Sequence, residues 1–134
     1  MSKIFIQENF FPLTTYNEIV HQMLEVAYFP PDKDKIEEYQ GSYWHTHTLP
    51  NQCVVQPHTD KDIKTTHQCL IYMYGEESTN NGTGFYHEKS KNKHELSIHV
   101  GFKQNRAIFF SSDVWHSPLQ WAGNGSFRYS ICNF

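Results

Sequence analysis

Leu96-Ser97-Ile98-His99-Val100-Gly101-Phe102 places an apolar residue at every second position. Successive side chains of an extended chain point to opposite faces, so this period builds one apolar face and one polar face. A buried helix face would repeat every three to four residues instead. Working outward, strands are expected at Cys53 to His58, Gln68 to Tyr74, Thr83 to His87, Arg106 to Ser111 and Phe127 to Phe134. Phe109 and Phe110 are adjacent, so one should enter the core and the other face elsewhere. Asn80-Asn81-Gly82 is a turn signal, and Gly82 and Gly84 are read as serving the backbone of a tight turn. Toward the N-terminus, Lys3 to Phe11 reads as a short strand or extended entry. Thr15-Tyr16-Asn17-Glu18 has the capping-box pattern, followed by Ile19, Val20, Met23 and Leu24 at helical spacing. One amphipathic helix is therefore expected over residues 16 to 27, ended by Pro30-Pro31. Residues 31 to 50 are polar and irregular, with an aromatic-histidine cluster at Tyr43-Trp44-His45-Thr46-His47. Many short strands and almost no helix predict a mainly β domain, a closed barrel or jelly roll.

The 134 residues suit a single domain with a real core. Aromatic residues make up 16%, which favours strands. Net charge is −3 with no basic stripe, which argues against nucleic acid as a partner. Three cysteines, Cys53, Cys69 and Cys132, form no CxxC pair and no even set. A reducing, cytoplasmic setting is the simpler expectation, in a bacterial cell or, for a viral protein, in its host's. The N-terminal stretch does not read as a signal peptide, and no run is long enough to span a membrane. Nothing in the sequence fixes an oligomeric state.

His58-Thr59-Asp60 carries the chemistry. In extended chain His58 and Asp60 project to the same side and can grip one ion together. A third ligand must return from a distant strand, and His116 is the candidate. Two histidines and one carboxylate on one face of a metal leave the opposite face open, the arrangement of non-haem Fe(II) that binds a cosubstrate and dioxygen. Arg128-Tyr129-Ser130 adds a cation and, two residues on, a hydroxyl on the same strand face. A planar guanidinium can bind a carboxylate with two charge-assisted hydrogen bonds.

These residues, in this order, resemble the 2-oxoglutarate/Fe(II)-dependent oxygenase superfamily, especially its prolyl 4-hydroxylase-like branch. The resemblance covers roughly residues 53–134. His58-Thr59-Asp60 matches the first two iron ligands, and Gly82-Thr83-Gly84-Phe85-Tyr86 a glycine-rich hairpin. The run from Arg106 to His116 matches the strand and turn delivering the distal histidine, and Arg128-Tyr129-Ser130 an RxS motif. The resemblance implies a double-stranded β-helix, with a single domain over residues 1–134. It implies Fe(II) on His58, Asp60 and His116, and 2-oxoglutarate as cosubstrate, its distal carboxylate on Arg128 and Ser130. Tyr72 or Tyr74 would add a further donor. With dioxygen, such an enzyme hydroxylates its substrate and releases succinate and CO2. The carboxylate ligand Asp60 fills the place a halide takes in related halogenases, which favours hydroxylation. A peptide side chain or a small metabolite is the implied substrate. The other class of reading is a non-catalytic metal- or cosubstrate-binding jelly-roll module, which would be expected to have lost a ligand or the arginine.

Several residues carry plainer readings. His45 and His47 suggest a cupin-type HxH, but Asn51 and Gln52 stand where a glutamate would be needed, so the cluster reads as loop or rim. Loops at 31–50, 61–66 and 88–94 would form the rim of the pocket. His67, His94 and His99 are expected to face solvent. His87 reads as pocket lining or a strand end, and Asp113 as a turn cap or as a partner orienting His116.

Overall fold

Among the described residues, the alternation seen in the sequence becomes nine strands and one helix. The structure, a computed structural model, describes residues 4–26, 35–39, 42–50, 56–60, 67–75, 77, 81–120 and 127–133. The elements are β1 (Ile4–Gln7), α1 (Leu13–Val26), β2 (Lys35–Tyr39), β3 (Ser42–Pro50), β4 (His67–Tyr74), β5 (Asn81–Ser90), β6 (Lys93–Gly101), β7 (Arg106–Ser111), β8 (Trp115–Gln120) and β9 (Phe127–Asn133). They form two antiparallel sheets. The larger runs β1-β7-β4-β9-β3-β2 and the smaller β6-β5-β8. A bridge between His58 and His116 adds the 56–60 segment beside β8. This is the jelly-roll architecture expected from the sequence.

Period 2 decides what each sheet buries. Inward from β4 and β7 come Tyr72, Ile108 and Phe110. They pack on Phe85, Val100 and Phe102 between the sheets. Outward from the same strands come Cys69, Ile71, Met73 and Ala107, joined by Phe11, Tyr129 and Ile131. α1 covers this second face with Tyr16, Ile19 and Val20, at the i, i+3, i+4 spacing of one helical side. The Tyr16 hydroxyl donates to the Met73 carbonyl. Burial, then the nearby Glu77 and Tyr74, push its pKa up to about 12. Phe110 enters the inter-sheet core while Phe109 faces the helix side, as adjacent strand positions require.

Five local expectations need correction. The helix starts at Leu13, with the Tyr16 amide bonded to the Pro12 carbonyl, so Thr15 lies in its first turn and is not its cap. Residues 35–39 and 42–50 are not irregular: β2 and β3 form an antiparallel pair, with His45 and His47 in β3 beside Cys132 and Ser130 of β9. Their charged side chains made them look like loop, yet charge suits β2, which is a sheet edge. Asn81 and Gly82 begin strand β5 and are not a turn. Gly82 is required by close backbone approach, since a Cβ there would lie 2.0 Å from the Val100 carbonyl oxygen. Most of 88–94 is strand too, with the reversal at Lys91 and Asn92. The expected helix end at Pro30-Pro31 and the segments 51–55 and 61–66 lie outside the described residues; of the strand expected at 53–58 only 56–58 is described, and there it is an isolated bridge at His58, not a strand.

Candidate active site

Local pairing assembles the three candidate ligands. His58 N–H donates to the His116 carbonyl at 3.0 Å, and His116 N–H to the His58 carbonyl at 2.9 Å. Residues directly opposite in an antiparallel pair share a face, and the two imidazole centroids stand 4.5 Å apart. Asp60, two residues on, is anchored by its own N–H to the Ser112 carbonyl at 2.9 Å. One donor atom from each of His58, Asp60 and His116 falls within 4.8 Å of the others.

Their hydrogen bonds preset the rings. His116 Nδ1 lies 2.9 Å from the Val114 carbonyl and His58 Nδ1 lies 3.0 Å from the Gln56 carbonyl. A carbonyl only accepts, so each Nδ1 carries the proton and each Nε2 is turned toward the third residue. Asp60 Oδ2 lies 2.9 Å from His116 Nε2, and Oδ1 lies 4.0 Å from His58 Nε2. A carboxylate oxygen facing a ring lone pair at 2.9 Å is repulsive unless a positive ion stands between them, whether proton or metal. Ligands sharing one ion with bonds of about 2.1 Å stand roughly 3 Å apart, so the 2.9 Å spacing of Asp60 and His116 fits a shared divalent cation, with His58 standing wider at 4.0 Å. Burial tends to raise the Asp60 carboxyl. The hydrogen bonds from His116, donating when Nε2 also carries a proton, and from Gln68, with the positive charges of His116 and His58 in their protonated forms, outweigh it and hold the group below the usual carboxylate value. His116 is walled by Phe110 and Phe85, with ring centroids at 4.9 Å and 6.5 Å. His58 is the open side, its side chain 43% exposed against 11% for His116.

Arg128 and Ser130 lie buried on the inward face of β9. The Arg128 guanidinium sits over the Tyr72 ring at 5.3 Å and the Phe102 ring at 5.7 Å. Its Nη1 donates to the Gly82 carbonyl at 2.5 Å and to Asn81 Oδ1 at 3.3 Å, both neutral acceptors. Ser130 Oγ is buried and makes no hydrogen bond among the described residues. Such a group ordinarily finds a partner, and a buried hydroxyl donor on the same strand face as a guanidinium is a donor set that suits an anionic group.

The sequence left Tyr72 and Tyr74 as alternatives, and the structure separates them. Tyr72 is fully buried between the sheets beside Arg128, its hydroxyl 2.5 Å from Thr83 Oγ1 and donating to the Val100 carbonyl at 3.2 Å. Tyr74 is 43% exposed, its ring 6.1 Å from Tyr129, whose side chain belongs to the helix-side core. Tyr74 is thus kept apart from Arg128 and Ser130. Asp113 accepts from Ser111 Oγ within the turn, while Val114 is the residue that orients the His116 ring. His94 does not face solvent. Its side chain is 13% exposed and its ring packs, tilted, with its centroid 4.2 Å from that of Trp115. His99 is likewise half-buried, whereas His67 is exposed as expected. His87 lines a cleft of about 210 Å³ with Trp115, Ile98 and Val114. Two polar residues were missed. Gln68 donates to Asp60 Oδ2 at 2.7 Å, and Asn81 contacts Arg128. Gln68 had a signal: it is the polar residue at an inward position of the otherwise apolar run Gln68-Cys69-Leu70-Ile71-Tyr72-Met73.

The larger sheet thus turns one face toward both groups, with Gln68 at the Asp60 end of β4 and Tyr72 at the Arg128 end. No family model matches this sequence, and no curated protein is similar to it in sequence. The fold does have a relative: the structure is similar to the crystal structure of a Pseudomonas putida prolyl-4-hydroxylase, with a TM-score of 0.65 and 13% identity, over 99% of this chain and 91% of that one.

Proposed function

We propose that the protein is a 2-oxoglutarate- and Fe(II)-dependent dioxygenase, with residues 1–134 as one domain. The observation that carries the reading is the convergence of His58, Asp60 and His116 with both Nε2 atoms turned inward and both Nδ1 protons committed. Two neutral imidazoles and one carboxylate would hold Fe(II) and leave the other side of the ion open. Arg128, fixed by Gly82 and flanked by Tyr72 and Phe102, would bind the distal carboxylate of 2-oxoglutarate, with Ser130 Oγ donating beside it. Tyr72 would shape the Arg128 end of the site, and Tyr74 has no part in it. Bound there, Fe(II), 2-oxoglutarate and dioxygen would supply the oxidising chemistry, with succinate and CO2 as co-products. The chain's share is to bind, orient and exclude water. Phe85 and Phe110 keep the His116 side dry, and the exposed His58 side is where a substrate would enter. The fold relative bears the name of an enzyme acting on prolyl residues, which favours a peptide side chain over a small metabolite.

The test is an anaerobic titration of the metal-free protein with Fe(II) and 2-oxoglutarate. A visible charge-transfer band should appear only with both present and be absent in His116→Ala. Arg128→Ala should lose the band at ordinary cosubstrate concentration while still binding the metal. If folded wild-type protein gives no band, the enzyme reading gives way to a non-catalytic jelly-roll module.

A further inference from the structure

Gln68 is 5% exposed, at an inward position of β4 opposite Phe110. Placing a carboxamide among apolar neighbours is unfavourable unless its hydrogen bonds are made. Its Nε2 donates to Asp60 Oδ2 at 2.7 Å, a charge-assisted bond of the stronger kind. The same oxygen stands 2.9 Å from His116 Nε2, while Oδ1 is 4.0 Å from His58 Nε2. The amide therefore fixes rotation of the carboxylate about its Cβ–Cγ bond. A carboxylate free to rotate can turn both oxygens onto one ion and occupy two coordination positions. One whose Oδ2 is held from the side by an N–H cannot easily do so.

We propose that Gln68 is a positioning residue that limits Asp60 to a single-oxygen contact with the metal. Together with His58 and His116, a single-oxygen Asp60 would hold a metal through three side-chain atoms and leave its open side to the cosubstrate. The inference rests on the metal reading above and adds the residue that sets the denticity of its carboxylate.

Co(II) is the probe, because its visible bands report coordination number as well as occupancy. Metal-free wild type, Gln68→Met and Gln68→Glu are titrated anaerobically with Co(II), and their thermal unfolding is recorded. Gln68→Met keeps the volume and removes the donor. Gln68→Glu keeps the shape and replaces the donor by an acceptor facing Asp60. Expected for Gln68→Met is Co(II) binding about 10–100-fold weaker, with a saturated spectrum changed from that of the wild type. Gln68→Glu should bind more weakly still. A packing role would leave the spectrum of Gln68→Met unchanged at saturation. Wild type and Gln68→Met binding Co(II) with equal affinity and identical spectra would overturn the Gln68 role and leave the metal reading standing. No Co(II) binding by folded wild type would overturn both.

Discussion

Asn105 should carry more of the stability of this fold than any surface view suggests. It is 7% exposed, with φ at +66°. Its side chain clamps the N-terminal segment: Phe11 N–H donates to Oδ1 at 3.0 Å, and Nδ2 donates to the Phe11 carbonyl at 2.9 Å. Its backbone closes the other side, with N–H to the Tyr72 carbonyl at 2.7 Å and its own carbonyl accepting from Phe10 at 2.9 Å. Asn105→Gly keeps the left-handed conformation and deletes the two side-chain bonds. Each buried partner left unmatched costs about 1–3 kcal/mol. Water entering the vacated space recovers part of that, so a loss of about 2–4 kcal/mol is expected. Asn105→Ala loses the same bonds and adds strain at positive φ, about 1–2 kcal/mol before the entropy glycine forfeits is set against it. Alanine should therefore be the worse of the two by roughly 0.5–1 kcal/mol. Urea unfolding followed by circular dichroism measures both, and comparable m values would license the comparison. If Asn105→Gly falls within about 0.5 kcal/mol of wild type, the range of an ordinary surface change, the clamp is not what holds β1 and α1 against the sheet.

Three further outcomes follow from named contacts. Gly82→Ala should unfold the protein or lower its melting temperature severely, because the added Cβ meets the Val100 carbonyl oxygen at 2.0 Å and must displace the strand that also anchors Arg128. A variant melting within a few degrees of wild type would show that β5 can shift. Asp60 has a depressed carboxyl in the folded protein, so its contribution to stability is present above the unfolded carboxylate value and is lost as pH falls through the lower folded one. Metal-free wild type should therefore be more stable than Asp60→Asn at neutral pH. The gap should close on acidification, and a pH-independent gap in urea midpoints would contradict this. Burial pushes the Cys69 thiol up to about 12, so it should resist thiol reagents at pH 8 until the chain is denatured. Rapid labelling of Cys69 in native protein, read by peptide mass mapping, would contradict its place beneath α1.

The parts of the fold legible in the sequence were those where one local rule acts alone. β4 and β7 are short, nearly continuous apolar runs, and their successive side chains went alternately to two cores as period 2 demands. The candidate ligands His58 and Asp60 could be paired from the sequence because residues two apart in extended chain project the same way whatever the rest of the chain does, leaving the fold only to bring His116 back. What stayed hidden depends on partners far away in sequence. The run from Leu96 to Phe102 shows this best. Val100 and Phe102 are buried, yet Leu96 is 43% and Ile98 38% exposed. The pairing shifts between Phe85↔Ile98 and Tyr86↔Leu96, leaving Ser97 as the extra residue of a bulge. A bulge reverses the face of every residue beyond it. Leu96 consequently leaves the inter-sheet side and packs where Gly84 has no side chain, 3.0 Å from where a Cβ would stand. An unbroken alternation in the sequence thus spans a reversal set by β5, which no residue of β6 announces. Gly82 is hidden in the same manner, since its need for a bare Cα is dictated by the carbonyl of Val100. Filling the space at Gly84 tests the point. Gly84→Ala would bring its Cβ within 2.8 Å of Leu119 Cδ1 and 2.9 Å of the Tyr86 hydroxyl, flexible or terminal atoms that can give way. It should therefore cost less than Gly82→Ala, where the obstacle is backbone. The reverse order in a thermal melt would mean that side-chain packing on the outer face, and not backbone approach, sets the glycines of β5.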